Sequence, residues 1–225
     1  MRCGEVIRLL RSRRNPRNIA GMAHFGISPK NTLGVPVPFL RALARKIGKN
    51  HSLALDLWRS RFHEARILAS LIGDPRALTA TQAEKWVKQI DSWDVCDQLC
   101  MNLLRQTPFA WNKARNWPRR SETFVKRAGF VLMATLAVHA KDKPDSAFIR
   151  LFPLLLAGAR DERNFVRKAV NWAVRQIGKK NRALNRRAMV LSRRIFRLGN
   201  PAARWIASDA IRELESSAVR ARLKG

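Results

Sequence analysis

The chain has 225 residues, with 45 Lys and Arg against 16 Asp and Glu, for a formal net charge of +29. Hydrophobic residues make up 46%, which excludes compositional disorder, and the length can bury a sizeable core. No apolar run reaches the roughly 18 residues that a bilayer span needs, and three cysteines exclude a disulfide scaffold and point to a reducing compartment.

The charge makes a polyanion the expected partner. Nucleic acid is favoured over a membrane surface because the basic residues run through the whole chain instead of filling one tail or one amphipathic helix. The competing account is a surface charged only for solubility, but that needs a net charge of roughly 2–8.

From the N-terminus, Arg8, Arg11, Arg13, Arg14 and Arg17 surround Val6, Ile7, Leu9 and Leu10. The apolar four read as the core face of a first helix, with no secretory leader. Pro36 starts a helix whose stripe is Phe39, Leu40, Leu43, Ala44 and Ile47. Breaks fall at Gly73-Asp74-Pro75, Thr107-Pro108, Trp117-Pro118, Lys143-Pro144, Gly178 to Asn181 and Asn200-Pro201. Between Asn15-Pro16 and the end of the chain they leave roughly a dozen helices, most of about 10–18 residues. No segment alternates like a strand, so the spacing predicts an all-α chain without a sheet.

Asp91-Ser92-Trp93-Asp94-Val95-Cys96-Asp97 gathers three of the few carboxylates. Asp91 or Ser92 suits a helix N-cap, and Asp94 suits the positive end of the helix dipole. Asp97 falls one turn after Trp93 on a partly apolar side, close to Cys100, Met101 and Leu104, whereas Asp94, Gln98 and Arg105 form the polar face. Two accounts of Asp97 stand: a semi-buried carboxylate paired with one of the many basic residues, and a catalytic group. Next comes an almost wholly apolar helix, Ala128 to Ala140, with Arg127 at its start. A buried arginine there pairs with an acid or grips a phosphate. In the stripe Phe165, Val166, Ala169, Val170, Ala173, Val174 and Ile177, Trp172 sits at the edge, on the side of Lys168 and Arg175. That setting suits a sugar face or a phosphate-bearing ligand as well as ordinary edge packing.

Phe124, Arg127 and Ala128 are echoed 41 residues on by Phe165, Lys168 and Ala169, and 41 further on by Ile206, Asp209 and Ala210. A period of about 40 with two helices per unit reads as a HEAT-like solenoid; coincidence among amphipathic helices is the competing account. The first half does not keep this register. His24, His51, His63 and His139 are scattered without metal-ligand spacing, and Cys96 and Cys100 read as small core residues. There is no phosphate-cradling Gly-rich loop and no Ser/His/Asp signature.

Together, six motifs resemble the AlkD-type DNA glycosylases, the HEAT-like-repeat family of DNA alkylation repair enzymes. They are His24-Phe25-Gly26-Ile27, Leu33-Gly34-Val35-Pro36, His63-Glu64-Ala65-Arg66, Ser92 to Asp97, Phe124-Val125-Lys126-Arg127-Ala128 and Asn164 to Trp172. The resemblance implies one domain over residues 1–225, built of antiparallel helix pairs stacked into a curved α-solenoid with a basic concave face. It implies Asp97 as the catalytic carboxylate, Trp93 and Trp172 as active-site tryptophans, and Arg127 as a contact to the backbone at the lesion. Lys168 and Arg175 join them as DNA-binding candidates. The expected activity is hydrolytic release of cationic N3- or N7-alkylated purines from double-stranded DNA, held by its backbone with little sequence preference. No metal, cofactor, membrane partner or lyase step is expected, and the protein is expected to be a monomer of the cytoplasm, on the nucleoid if bacterial. The chain departs from some members in having Ser92-Trp93 in place of a tandem Trp, and in having no tyrosine. The alternatives are a non-catalytic binder of damaged or branched DNA on the same scaffold, and an RNA- or protein-binding helical-repeat scaffold.

Overall fold

In the computed structural model, which describes residues 1–223, the described residues form α helices and two short 3₁₀ turns, with no strand. The chain divides into two compact units, Met1–Pro108 and Phe109 onward. The first holds α1 (Cys3–Ser12), α2 (Pro16–His24), α3 (Val37–Ile47), α4 (His51–Arg59), α5 (His63–Ile72), α6 (Ala80–Lys88) and α7 (Trp93–Asn102). The second holds α8 (Ala110–Asn116), α9 (Thr123–His139), α10 (Asp145–Ile149), α11 (Phe152–Gly158), α12 (Asn164–Gly178), α13 (Arg182–Phe196), α14 (Pro201–Leu214) and α15 (Ser217–Arg222).

Local chemistry starts these helices. Asn50 accepts from the Leu53 amide at 3.0 Å, Asn181 from that of Leu184 at 2.8 Å, and Thr79 forms a reciprocal box with Gln82. Each such cap is worth about 1 kcal/mol. Pro16 and Pro201 occupy first-turn positions, where their missing N–H costs nothing. Among the described residues the helices number more than a dozen and are shorter than the spacing predicts, in part because α10 and α11 are separate elements, α11 starting at Phe152-Pro153. α9 also begins one turn before Ala128, which places Arg127 inside the helix.

In the first unit α5 is buried on nearly every side, packed against α3, α4 and α7. In the second, α9 plays that part against α8 and α12, and α12 packs in turn on α14. Gly129 lets α9 approach the chain at Pro118: a Cβ there would lie 2.4 Å from the proline ring. The echo of the sequence repeat is a physical contact. Phe124 and Phe165 stack with ring centroids 5.6 Å apart, and Asn171 donates to the Ile206 carbonyl at 3.1 Å.

Candidate functional site

In the first unit, three of the sequence motifs are tied together through α5. The loop before α3 turns at Gly34, whose φ is +73° and where a Cβ would meet the Asn15 carbonyl at 2.3 Å, so only glycine fits. That turn aims the amides of Leu33, Gly34 and Val35 at one carboxylate, Glu64, at 3.0, 2.6 and 3.3 Å. Glu64 is 1% exposed, so this anion-binding nest is filled by the protein itself. One residue earlier, His63 Nε2 bonds Asp94 Oδ2 at 2.7 Å. Burial disfavours the imidazolium, but the bond and charge of Asp94, with Glu64 and Asp91 nearby, raise the His63 pKa. Burial likewise opposes ionisation of Asp94, and the bond to His63 outweighs it, so that carboxyl titrates low. Arg66 donates to the Gln89 carbonyl at 2.9 Å and lies near Asp91 at 3.4 Å. The start of α7 is therefore held by α5. Sequence reasoning missed the His63–Asp94 pair because it placed Asp94 on a solvated face, and its partner lies 31 positions earlier on another helix.

The indole N–H of Trp93 donates to the Phe25 carbonyl at 3.0 Å, which joins the His24–Ile27 motif to α7. Trp93 is half-buried and borders a cavity of about 420 Å³ in this unit. One turn on, Asp97 is 9% exposed, with Cys96 and Cys100 buried beside it. α7 thus carries a tryptophan and a largely buried carboxylate one turn apart, a setting in which a charge acts strongly on whatever approaches it.

In the second unit, Arg127 is 5% exposed and its Nη1 donates to the Phe165 carbonyl at 2.5 Å. That bond joins α9 to the start of α12. On α12, Trp172 is half-buried, Lys168 is exposed, and Arg175 pairs with Glu213 and approaches Asp209 at 3.6 Å. Lys179 bonds the same Glu213. Burial opposes ionisation of Glu213, but Lys179 and Arg175 hold its pKa down. A second network joins Asp161 to Arg163 at 2.6 Å and Lys126 at 3.0 Å, and Arg163 reaches the Ser121 carbonyl at 2.6 Å. So of the α12 cations, Arg175 is bound into an ion-pair cluster and Lys168 stands on the surface. Among the described residues no three His, Cys, Asp or Glu side chains gather as a metal site, and no helix is long and apolar enough to cross a membrane.

A family model described as DNA alkylation repair enzyme matches residues 6–214. Comparison with curated proteins finds no match. Among solved structures, the chain is similar to a protein from a new family related to the HEAT-like repeat DNA glycosylases with affinity for branched DNA structures. The two share 17% identity with a TM-score of 0.81, covering 99% of this chain and 96% of that one. A likeness at that identity concerns the fold: an all-helical HEAT-like repeat architecture.

Proposed function

The chain belongs to the DNA alkylation repair enzyme family, and from that membership we propose that it is a monofunctional DNA glycosylase that hydrolyses the N-glycosidic bond of cationic N3- or N7-alkylated purines. The observation that carries this reading is Asp97: a largely buried carboxylate in a strongly basic protein, one turn from a half-buried tryptophan. An alkylated purine already bears positive charge, so its bond to C1′ breaks with the electron pair going to the base, and no protonation is needed. The sugar then resembles an oxocarbenium ion. Asp97 stabilises that charge and takes a proton from the water whose oxygen bonds C1′. Trp93 offers a ring face to the cationic sugar, worth about 0.5–2 kcal/mol, and Trp172 is assigned as an active-site tryptophan through the resemblance to the family.

Double-stranded DNA is the proposed partner, gripped by its phosphates and little by its bases, in keeping with the net charge of +29. Arg127, aimed by its bond to the Phe165 carbonyl, is assigned to the backbone at the lesion. Lys168 adds a surface cation beside Trp172, and Arg175, bound to Glu213, contributes through the position of that cluster. A second reading is favoured by the affinity for branched DNA structures of the similar protein's family: a non-catalytic binder of branched or damaged DNA. Incubation of the purified protein with methylated duplex DNA decides between them. Release of free 3-methyladenine or 7-methylguanine is expected; tight binding without release would establish the second reading.

A further inference from the structure

The second unit carries a groove of about 530 Å³ that the chemistry above does not use. Its lining comes from α10, α11, α13 and the turn after α11. Arg127, Lys168, Trp172 and Arg175 stand instead on α9 and α12. The floor is apolar. α11 supplies Phe152, Leu156 and Ala157, and α13 supplies Val190 and Leu191, at spacings that keep each set on one side of its helix. Ala157 is exposed and Val190 is 55% exposed, so the protein's own packing leaves this floor open. Three exposed arginines edge it: Arg160 just past α11, and Arg187 and Arg194 on α13. The latter two share a face two turns apart, about 10 Å along the axis. Among the described residues none of the three pairs with a carboxylate: Asp161 is held by Arg163 and Lys126, Glu213 by Arg175 and Lys179, and Glu215 lies near Arg193. An apolar centre with a charged rim in which arginine is prominent is the anatomy of a protein interface.

We propose that this groove docks an acidic amphipathic helix of a partner protein, with its apolar edge on Phe152, Leu156 and Val190 and its carboxylates against Arg160, Arg187 and Arg194. Charge selects that occupant. A second copy of this chain would bring a further +29 to a rim that is already cationic. A nucleic-acid strand would satisfy the arginines but leave the apolar floor without a partner, and Phe152 is the one aromatic ring in the lining on which a base could stack. An acidic helix meets both, through apolar anchors three, four and seven residues apart. The docking site is independent of the glycosylase reading and stands or falls apart from it.

The probe is a fluorescein-labelled peptide of about 16 residues with leucines on one helical face and glutamates on the other. Its control is a scrambled peptide of the same composition, which carries the same charge and lacks the apolar face. Anisotropy is read with the full chain at about 0.15 M salt, where charges more than about 8 Å apart are screened. The amphipathic peptide is expected to bind at least about tenfold more tightly than the scrambled one, because it alone buries leucines on the floor. Val190→Asp and Ala157→Asp, both at exposed positions, should each weaken it about tenfold by setting a charge in the floor against the like charge of the peptide. Arg187→Ala combined with Arg194→Ala should weaken it about fivefold, as the loss of two exposed ion pairs does. Affinity for undamaged duplex DNA should be the same for the wild type and Val190→Asp. If the scrambled peptide binds as tightly, or both Asp variants bind the amphipathic peptide as the wild type does, the docking site falls. If a thymidine oligonucleotide displaces the peptide and its own binding drops about tenfold in both Asp variants, the groove is a nucleic-acid surface and the docking site falls as well.

Discussion

The two units tie their elements together over different separations. In the first, several side chains bond across 31 or 32 residues: His63 to Asp94, Trp58 to Gln89, Asn102 to Ser70. In the second, several such ties spread from 34 residues, Lys179 to Glu213, to 43, Arg222 to Lys179. The charge differs as well. Residues 1–108 hold 18 basic and 8 acidic residues, a net +10, and the remainder holds 27 and 8, a net +19. The first unit spends its acids on internal order, with Glu64 and Asp94 bonded inside it. The second draws Asp161, Asp209 and Glu213 into half-buried ion-pair clusters and leaves a larger cationic excess. On the proposed function the division is one of labour: the carboxylate chemistry belongs to the first unit and much of the grip on phosphate to the second.

The largest expected effect tests that division directly. Asp97→Asn keeps the shape and removes the charge. Single-turnover base release should fall by about 10²–10³, the usual cost of a lost electrostatic stabiliser, while affinity for undamaged duplex holds or rises slightly. Arg127→Ala, in the other unit, should weaken binding and rate together. If the Asp97 variant loses affinity and the Arg127 variant loses only rate, the division is reversed.

Next in size is the stability of the first unit. Glu64→Ala leaves the amides of Leu33, Gly34 and Val35 facing an apolar space. Buried unsatisfied donors cost about 1–3 kcal/mol each, and partial hydration of the loop brings the expected total to about 3 kcal/mol. Denaturant unfolding, with amide exchange in α3 and α5 as the local probe, measures it. A loss below about 1 kcal/mol would mean that the loop finds other acceptors.

These two substitutions also mark what the sequence made legible. The helical spacing, the helix start at Pro36 and the Phe124–Phe165 echo were readable, because each is a local pattern or a repeat of one. The resemblance placed Leu33-Gly34-Val35-Pro36 and His63-Glu64-Ala65-Arg66 together without saying why. The reason is that Glu64 fills the nest the first motif makes. Periodicity cannot find such a pairing, since it lies between a loop and a helix start. The ties inside the first unit were missed for a related reason: they are single polar bonds, whereas the echo in the second half shows itself largely as matching apolar positions. Asp94 read as a dipole-complementing surface residue, and the partner that buries it, His63, lies on another helix.

His63 gives the third test, and its sign is set by the raised pKa. A base whose folded pKa lies above its ordinary value stabilises the fold fully below that ordinary value, near 6.5, and loses the contribution as pH rises through the folded pKa. His63→Gln removes a charge-assisted bond to a largely buried carboxylate, for an expected cost of about 2 kcal/mol below pH 6. The gap between wild type and variant should narrow as the pH is raised. A gap that stays constant would show that His63 acts by packing alone.

Asp161 is the counterpart in the second unit, with the opposite sign and the smallest effect. Burial works against its charge, but the hydrogen bonds from Arg163 and Lys126 prevail and hold its pKa at about 2, against an ordinary 3.8. An acid whose folded pKa is depressed contributes stability above its ordinary pKa and loses it as pH falls through the folded one. The window is therefore about pH 4 down to about 2. The full linkage for such a shift is about 2.4 kcal/mol. Asp161 is 11% exposed but its partner Arg163 is 39% exposed, and solvent screening on that side reduces the expected contribution to about 1 kcal/mol. Many carboxylates titrate in that range, so the quantity to measure is the stability difference between wild type and Asp161→Asn at pH 4 and again near pH 2. It should shrink towards zero at the lower pH and also diminish in high salt, because charge pairs near the surface are screened. A difference that survives both changes would assign Asp161 a packing role, and the two units would then no longer respond to pH with opposite signs.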